Sequence, residues 1–376
     1  MKTTFFTIIF LTSIITINAI YQIGHKTITF NDPSRSRDIQ TEIYYPANTA
    51  GENVAIASGI FPVLVFGHGF VMAWDSYNNF WEEFVPQGYI MVFPRTEGNT
   101  SPVHIEFGLD MSFLIDEMQN ENLNTSSIFY GAVSPECAVI GHSMGGGCSF
   151  LAAEINSNIT TIVNFAAAET TPSSTTAAVN VIIPALMFSG SEDCVAPPAD
   201  HQIPMYNALN SACKTLISIN DGGHCYFANY NFNCTLGESF CLPVVPLSRA
   251  EQQQTTFDFL HLWLDYQLKG NLNAFTIFND SLNSSSRITY VQDCSTTIQS
   301  VSDYINIRIF PNPVSDILKI ESSQKITKIE IINSLGTSEI LQSQNEYFNI
   351  SDFNKGIYFI KIYTINSIYV RHILKI

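Results

Sequence analysis

The sequence predicts an α/β fold, a mostly parallel sheet flanked by helices, followed by a small C-terminal antiparallel β-sandwich. Three observations predict it. From Thr41 to about Lys269, short strands that are apolar along their whole length alternate with helical stretches. After about Ser302 the texture turns to period-two alternation. The charge balance shifts at the same place: residues 20–304 carry 8 basic and 27 acidic side chains, residues 305–376 carry 8 and 6.

Met1 and Lys2 are followed by an apolar run from Phe5 to Ile17 and by Asn18-Ala19. This pattern predicts a secretory signal peptide over residues 1–19. As a membrane anchor the run falls short of the roughly 20 apolar residues that a span needs. The α/β domain is expected over 20–295. Its strands are Pro62–Phe66, Tyr89–Phe93, Ala138–Ile140, Thr161–Phe165, Pro184–Phe188 and Thr215–Ile219. Unbroken apolarity is expected where both faces of a parallel sheet are covered. Ser248 to Leu268, with Phe257, Leu260, Leu264 and Leu268 at helical spacing, predicts a final amphipathic helix stopped at Lys269-Gly270. The Asn- and Ser-rich stretch 279–286 reads as an exposed loop or linker, and 296–303 as the linker to the second domain. Strands at Tyr304–Phe310, Ile317–Ile320, Ile326–Ile332 and Ile357–Tyr363, with turns at Pro311-Asn-Pro313 and Lys355-Gly356, make up the sandwich over 304–376.

A formal net charge of −16 argues against nucleic acid and anionic membranes as partners, because both demand a basic footprint. An acidic soluble protein acting on neutral substrates fits better, and a monomer is expected. The cysteines at 137, 148, 194, 213, 225, 234, 241 and 294 are even in number, as suits an oxidising compartment. None shows C-x-x-C spacing, so no metal is expected, and no cofactor either. Their pairing does not follow from sequence. Cys234 with Cys241 is one candidate and Cys213 is a candidate partner for Cys194; a bridge from Cys194 or Cys225 would clamp a loop of the site described next.

The strand Cys137–Ile140 runs into Gly141-His-Ser143-Met-Gly145-Gly-Gly147 and then into the helical stretch Ser149–Ile155. G-x-S-x-G between strand and helix is a nucleophile elbow, with glycines where side chains would collide. A serine hydroxyl is a weak nucleophile, so a histidine must take its proton and a carboxylate must orient that histidine. In this arrangement the chain order is serine, acid, histidine. Asp193 follows strand Pro184–Phe188, and His224 follows strand Thr215–Ile219 in Asp221-Gly-Gly-His-Cys225. Glu192 and Asp200 compete with Asp193 for the acid role. An oxyanion formed at Ser143 needs two backbone N–H donors. Met144, next to the nucleophile, is one candidate, and Phe70, in the loop Gly67-His-Gly-Phe70, is the other. His68 and His142 sit on glycine turns, each a structural hydrogen-bonder or a substrate contact. Histidines 25, 104, 201, 261 and 372 read as surface or satisfied core residues.

Gly-His-Ser-Met-Gly-Gly-Gly, Ser-Glu-Asp-Cys-Val-Ala-Pro and Gly-Gly-His-Cys together resemble the cutinase-type polyester hydrolases, poly(ethylene terephthalate) hydrolases included. They are also similar to chlorophyllase-like and dienelactone-hydrolase-like enzymes. The resemblance covers roughly residues 60–270. It implies an α/β-hydrolase fold, an open cleft without metal or cofactor, hydrolysis of carboxylic esters, polymeric ones included, and a triad of Ser143, Asp193 and His224. Those enzymes usually place a tryptophan after the strand that follows the elbow helix, where this chain reads Ala166-Ala-Ala-Glu-Thr-Thr-Pro172. Phe70, Trp74 and Tyr77 offer an alternative aromatic wall, or pack as ordinary helix residues, and Phe70, Trp74 and His142 are the candidate substrate contacts. The tail, with Phe310-Pro-Asn-Pro-Val314, Asn333-Ser-Leu-Gly336 and Lys355-Gly-Ile-Tyr-Phe359, resembles the type IX secretion sorting domain of Bacteroidetes. It implies recognition by that export machinery; a glycan-binding sandwich is the other reading. For the whole chain a lipase, a serine peptidase and a non-catalytic surface-binding protein stay open beside the esterase.

Overall fold

A strand that is apolar at every position needs protein on both sides, and that requirement organises the first three quarters of this chain. The computed structural model describes residues 21–241, 245–294, 308–312, 314–322, 325–333, 337–341, 347–364 and 368–376. The expected signal peptide and linker lie outside the described residues, as do parts of the tail motifs at 311–313 and 333–336. Two compact units divide the chain, Met1–Ser295 and Thr296–Ile376.

The first unit is built on a ten-stranded sheet. Its strands are β1 (Gln22–Asp32), β2 (Arg37–Ala47), β3 (Gly51–Glu52), β4 (Phe61–Gly67), β5 (Ile90–Pro94), β6 (Val133–His142), β7 (Thr161–Phe165), β8 (Ala185–Gly190), β9 (Cys213–Ile219) and β10 (Ile288–Cys294). The order across the sheet is β10-β9-β8-β7-β6-β4-β5-β2-β1-β3, and β4 to β9 run parallel. The helices are α1 (Asn78–Phe84), α2 (His104–Leu123), α3 (Met144–Ala153), α4 (Ser174–Ala178), α5 (Gln202–Ala208), α6 (Phe232–Glu238), α7 (Arg249–Lys269) and α8 (Leu272–Ser284).

Successive strand residues serve opposite cores. Val63, Val65, Val139 and Ile162 pack with Met111, Leu114, Phe150 and Leu151 of α2 and α3. Leu64, Phe66, Ile140 and Phe165 pack with Phe80 and Phe84 of α1 and Leu260 and Trp263 of α7. Helix α7 is closed at its start by a capping box between Ser248 and Glu251 and at its end by Gly270 in the left-handed region (φ 66°).

Two expectations are corrected. Helix α7 is not the last, and the stretch expected to be a loop at 279–286 belongs largely to α8. There Ala274, Phe278 and Leu282, four residues apart, form a buried stripe, and Asn271 caps the first turn by accepting from Ala274 N–H. Of the Asn and Ser residues that suggested a linker, Asn283 and Ser284 are exposed on the helix, and Asn279 and Ser281 are half-buried at its sides. Strand β10 follows, pairs antiparallel with β9, and sets Cys294 opposite Cys213. The sequence reading also missed β1, which pairs along its full length with β2.

The second unit consists of antiparallel strands in two sheets. β11 (Arg308–Phe310), β12 (Ile317–Glu321) and β15 (Tyr347–Asn349) form one; β13 (Ile326–Asn333), β14 (Ser338–Ile340), β16 (Gly356–Thr364) and β17 (Ile368–Lys375) form the other. Leu318, Ile320 and Phe348 of the first sheet share a core with Ile329, Ile331, Ile360, Ile362 and Ile373 of the second. That is a sandwich.

Candidate active site

Strand β6 delivers Ser143 to the carboxyl edge of the sheet, between the last strand residue and the first residue of α3. Its backbone is strained, with φ 54° and ψ −118°. Close approach explains the flanking glycines: a Cβ on Gly145 would stand 2.1 Å from the Gly67 carbonyl oxygen, and one on Gly141 would stand 2.4 Å from that of Gly145. The elbow is anchored from outside by Ser143 N–H donating to Phe165 O (2.9 Å) and Ala168 N–H donating to Ser143 O (2.9 Å).

Asp193 lies three residues beyond β8 and His224 five beyond β9. The structure brings both to Ser143: His224 Nε2 is 2.9 Å from Ser143 Oγ, and His224 Nδ1 is 2.8 Å from Asp193 Oδ2. A carboxylate accepts, so Nδ1 carries the proton and Nε2 is left to accept from the serine hydroxyl. The other carboxylate oxygen, Oδ1, accepts from Val195 N–H (2.9 Å) and Ala196 N–H (2.8 Å), which fixes the plane of the group. All three side chains are buried, Ser143 with 8% exposure. Of the competing acids, Asp200 is exposed, and Glu192 is partly buried and accepts from Ser191 Oγ.

The acid and histidine loops are tied together. Glu192 N–H donates to Gly222 O (2.8 Å), and Gln252 of α7 exchanges two bonds with Gly223, each 2.9 Å. Disulfides Cys194–Cys241 and Cys225–Cys234 clamp the residues directly after Asp193 and His224. A third bridge, Cys213–Cys294, joins β9 to β10. The two expected pairs, Cys234–Cys241 and Cys194–Cys213, are therefore corrected. Cys137 and Cys148 stay as buried thiols; burial pushes the Cys137 thiol up to about 12.

The loop after β4 lies against the start of α3, where Gly145 N–H donates to His68 O (3.0 Å). Phe70 in that loop is half exposed, at 48%, and Met144 is buried. Trp74 is partly buried against the core that contains Phe80 and Trp263, and the Arg95 guanidinium lies 4.2 Å over its ring. His68 is buried, with both ring nitrogens near carbonyl oxygens, those of Gly69 and Thr96, at 2.9 Å.

Two expected contacts are corrected by burial. His142 has 0% exposure, and its ring nitrogens face Tyr77 Oη and the His224 carbonyl, so no face is left for substrate. Tyr77 likewise has 0% exposure and cannot line an aromatic wall. Sequence reasoning missed the hydrogen-bonding parts of Tyr77 and Gln252. Both contacts are non-local, and only the helical spacing of α7 hinted that Gln252 faces inward.

A nucleophile elbow at the edge of a central parallel strand, with an acid and a histidine on the loops after later strands, defines the α/β-hydrolase class. Residues 24–242, more than half of the chain, match the PET hydrolase-like family, and residues 308–375 match a secretion system C-terminal sorting domain. The chain belongs to the PET hydrolase-like family and is a hydrolase. Its sorting domain is of the type IX class and marks a secreted protein, held at the surface or released.

Proposed function

We propose that the chain is a secreted carboxylic ester hydrolase that works through an acyl-enzyme on Ser143. The single observation that carries this reading is the continuous chain from Ser143 Oγ through the His224 ring to Asp193, at 2.9 and 2.8 Å, starting from a strained elbow. Ser143 Oγ attacks the ester carbonyl carbon while its proton passes to His224 Nε2, and Asp193 stabilises the imidazolium. The tetrahedral intermediate collapses, the C–O bond to the alcohol breaks, and His224 returns the proton to the leaving oxygen. Water then attacks the acyl-enzyme by the same steps in reverse roles and releases the acid.

The oxyanion donors are the N–H groups of Met144 and Phe70. The N–H groups of a helix's first turn lack intrahelical acceptors, and Gly145 N–H is already given to His68, which favours Met144 for this duty. The half-exposed ring of Phe70 provides an apolar contact for the acyl part. Residues 1–19 serve as the export signal, 20–295 as the catalytic domain and 304–376 as the sorting domain, so the ester, polymeric esters included, is met outside the cell.

The test is hydrolysis of p-nitrophenyl esters from acetate to palmitate by the full secreted chain beside its Ser143→Ala variant. Turnover that disappears in the variant supports the reading, and the chain-length optimum separates short esters from long or polymeric ones. A folded protein that turns over none of them refutes it.

A further inference from the structure

Three groups without a part in the bond-breaking steps form one line of hydrogen bonds beneath the site. Gly69 N–H donates to Tyr77 Oη at 2.8 Å, Tyr77 Oη is 2.9 Å from His142 Nδ1, and His142 Nε2 is 2.9 Å from the carbonyl oxygen of His224. The partners dictate the protons. A carbonyl only accepts, so Nε2 carries hydrogen. Burial, reinforced by the nearby His224 and Arg249, holds the His142 pKa well below the usual histidine range, so the ring is neutral and Nδ1 is a bare acceptor. The Tyr77 hydroxyl therefore donates to Nδ1, and its oxygen accepts from Gly69. Every donor meets an acceptor, and the line runs in one direction.

Its members sit on the three segments whose relative placement matters for acyl transfer. Gly69 precedes Phe70 in the oxyanion loop, His142 precedes Ser143, and the last acceptor is the main chain of His224 itself. Tyr77 comes from a fourth segment, the short helical turn Trp74–Tyr77, and its ring is wedged against Phe66 with centroids 4.5 Å apart. The hydroxyl is thus held by the core, independently of the loops that it joins.

We propose that Tyr77 and His142 are positioning residues that hold the oxyanion loop, the nucleophile and the His224 imidazole in register. The proposal rests on the serine-hydrolase reading given above. Removing the Tyr77 oxygen leaves the Gly69 N–H and His142 Nδ1 without their partner and frees the oxyanion loop to shift relative to Ser143. Small displacements of reacting groups cost about 100-fold in rate.

The experiment compares Tyr77→Phe, His142→Phe, the double variant and His142→Gln in the full secreted chain. Turnover of a soluble p-nitrophenyl ester is expressed per active site, counted by stoichiometric labelling with an organophosphonate, and thermal unfolding is recorded alongside. Tyr77→Phe is expected to lower kcat per labelled site about 10- to 100-fold with KM changed less than about twofold. The double variant is expected to lose no more than either single one, since each breaks the same line. His142→Gln, which keeps one acceptor and one donor, is expected to retain more activity than His142→Phe. Unchanged kcat per labelled site with only a lower Tm, losses that multiply in the double variant, or equal losses in His142→Gln and His142→Phe would each overturn the positioning role. Activity that persists in Ser143→Ala would instead overturn the serine reading, and the proposal with it.

Discussion

Replacing Cys194 and Cys241 together by alanine is expected to destabilise the first unit by about 4 kcal/mol. Their bridge has a sequence separation of 47, and the entropy that it withholds from the unfolded chain grows with the logarithm of the closed loop. The same relation gives about 2.6 kcal/mol for Cys225–Cys234, at a separation of 9, and about 4.5 kcal/mol for Cys213–Cys294, at a separation of 81. The ordering is the sharper part of the prediction, because errors common to all three cancel in it. Guanidinium unfolding of the three paired variants, followed by tryptophan fluorescence, measures it. The three tryptophans, 74, 81 and 263, all lie in the first unit, so the signal reports that unit alone. Turnover is expected to survive better than stability in the Cys194/Cys241 variant, since Asp193 keeps its bonds from Val195 and Ala196 N–H. A loss below about 1 kcal/mol for that pair, or a greater loss from the Cys225/Cys234 pair than from the Cys213/Cys294 pair, would refute the loop-entropy argument.

Asp193→Asn leaves the shape of the site intact but removes the acceptor that sets the His224 tautomer, so kcat is expected to fall about 10⁴-fold with little change in KM, as read from steady-state ester hydrolysis. Phe278→Ala, on the helix that the sequence disguised as a loop, is expected to cost about 3–5 kcal/mol in denaturant unfolding, whereas a solvent-exposed loop residue would cost almost nothing. His142 is buried, and burial, reinforced by the nearby His224 and Arg249, holds its pKa well below the usual histidine range. The unfolded chain therefore holds the extra proton below about pH 6.5, and stability is expected to fall as the pH falls, by about 1.4 kcal/mol per unit through this one histidine. It is fully present above that pH. Unfolding free energies of the parent and His142→Gln at pH 7, 6 and 5 check this, the variant being expected to show the shallower slope.

Local features were legible where consecutive residues do the work. The elbow is a contiguous turn, and its glycines are demanded by backbone atoms within 2.1 to 2.4 Å, so the pentapeptide announces itself. The central strands read correctly because a parallel sheet buries both faces, which leaves an unbroken apolar run as its mark. Helix α8 did not read correctly, because its buried stripe is only Ala274, Phe278 and Leu282 and the remaining positions are filled by the Asn and Ser that elsewhere make loops.

By itself, then, the sequence determined the fold class, the chain order in which Ser143, Asp193 and His224 follow their strands, and the change of texture near residue 300, all of which depend on residue type and short-range spacing. Only the tertiary structure decided which cysteines pair, that His142 and Tyr77 are buried beneath the site instead of lining it, and that the Tyr77 hydroxyl bonds both the Gly69 N–H and the His142 ring. Those contacts span 9 to 81 residues among the cysteines and 65 between Tyr77 and His142. Over such separations no periodicity survives, and partners are chosen by how the strands stack in the sheet and which loops its carboxyl edge brings together.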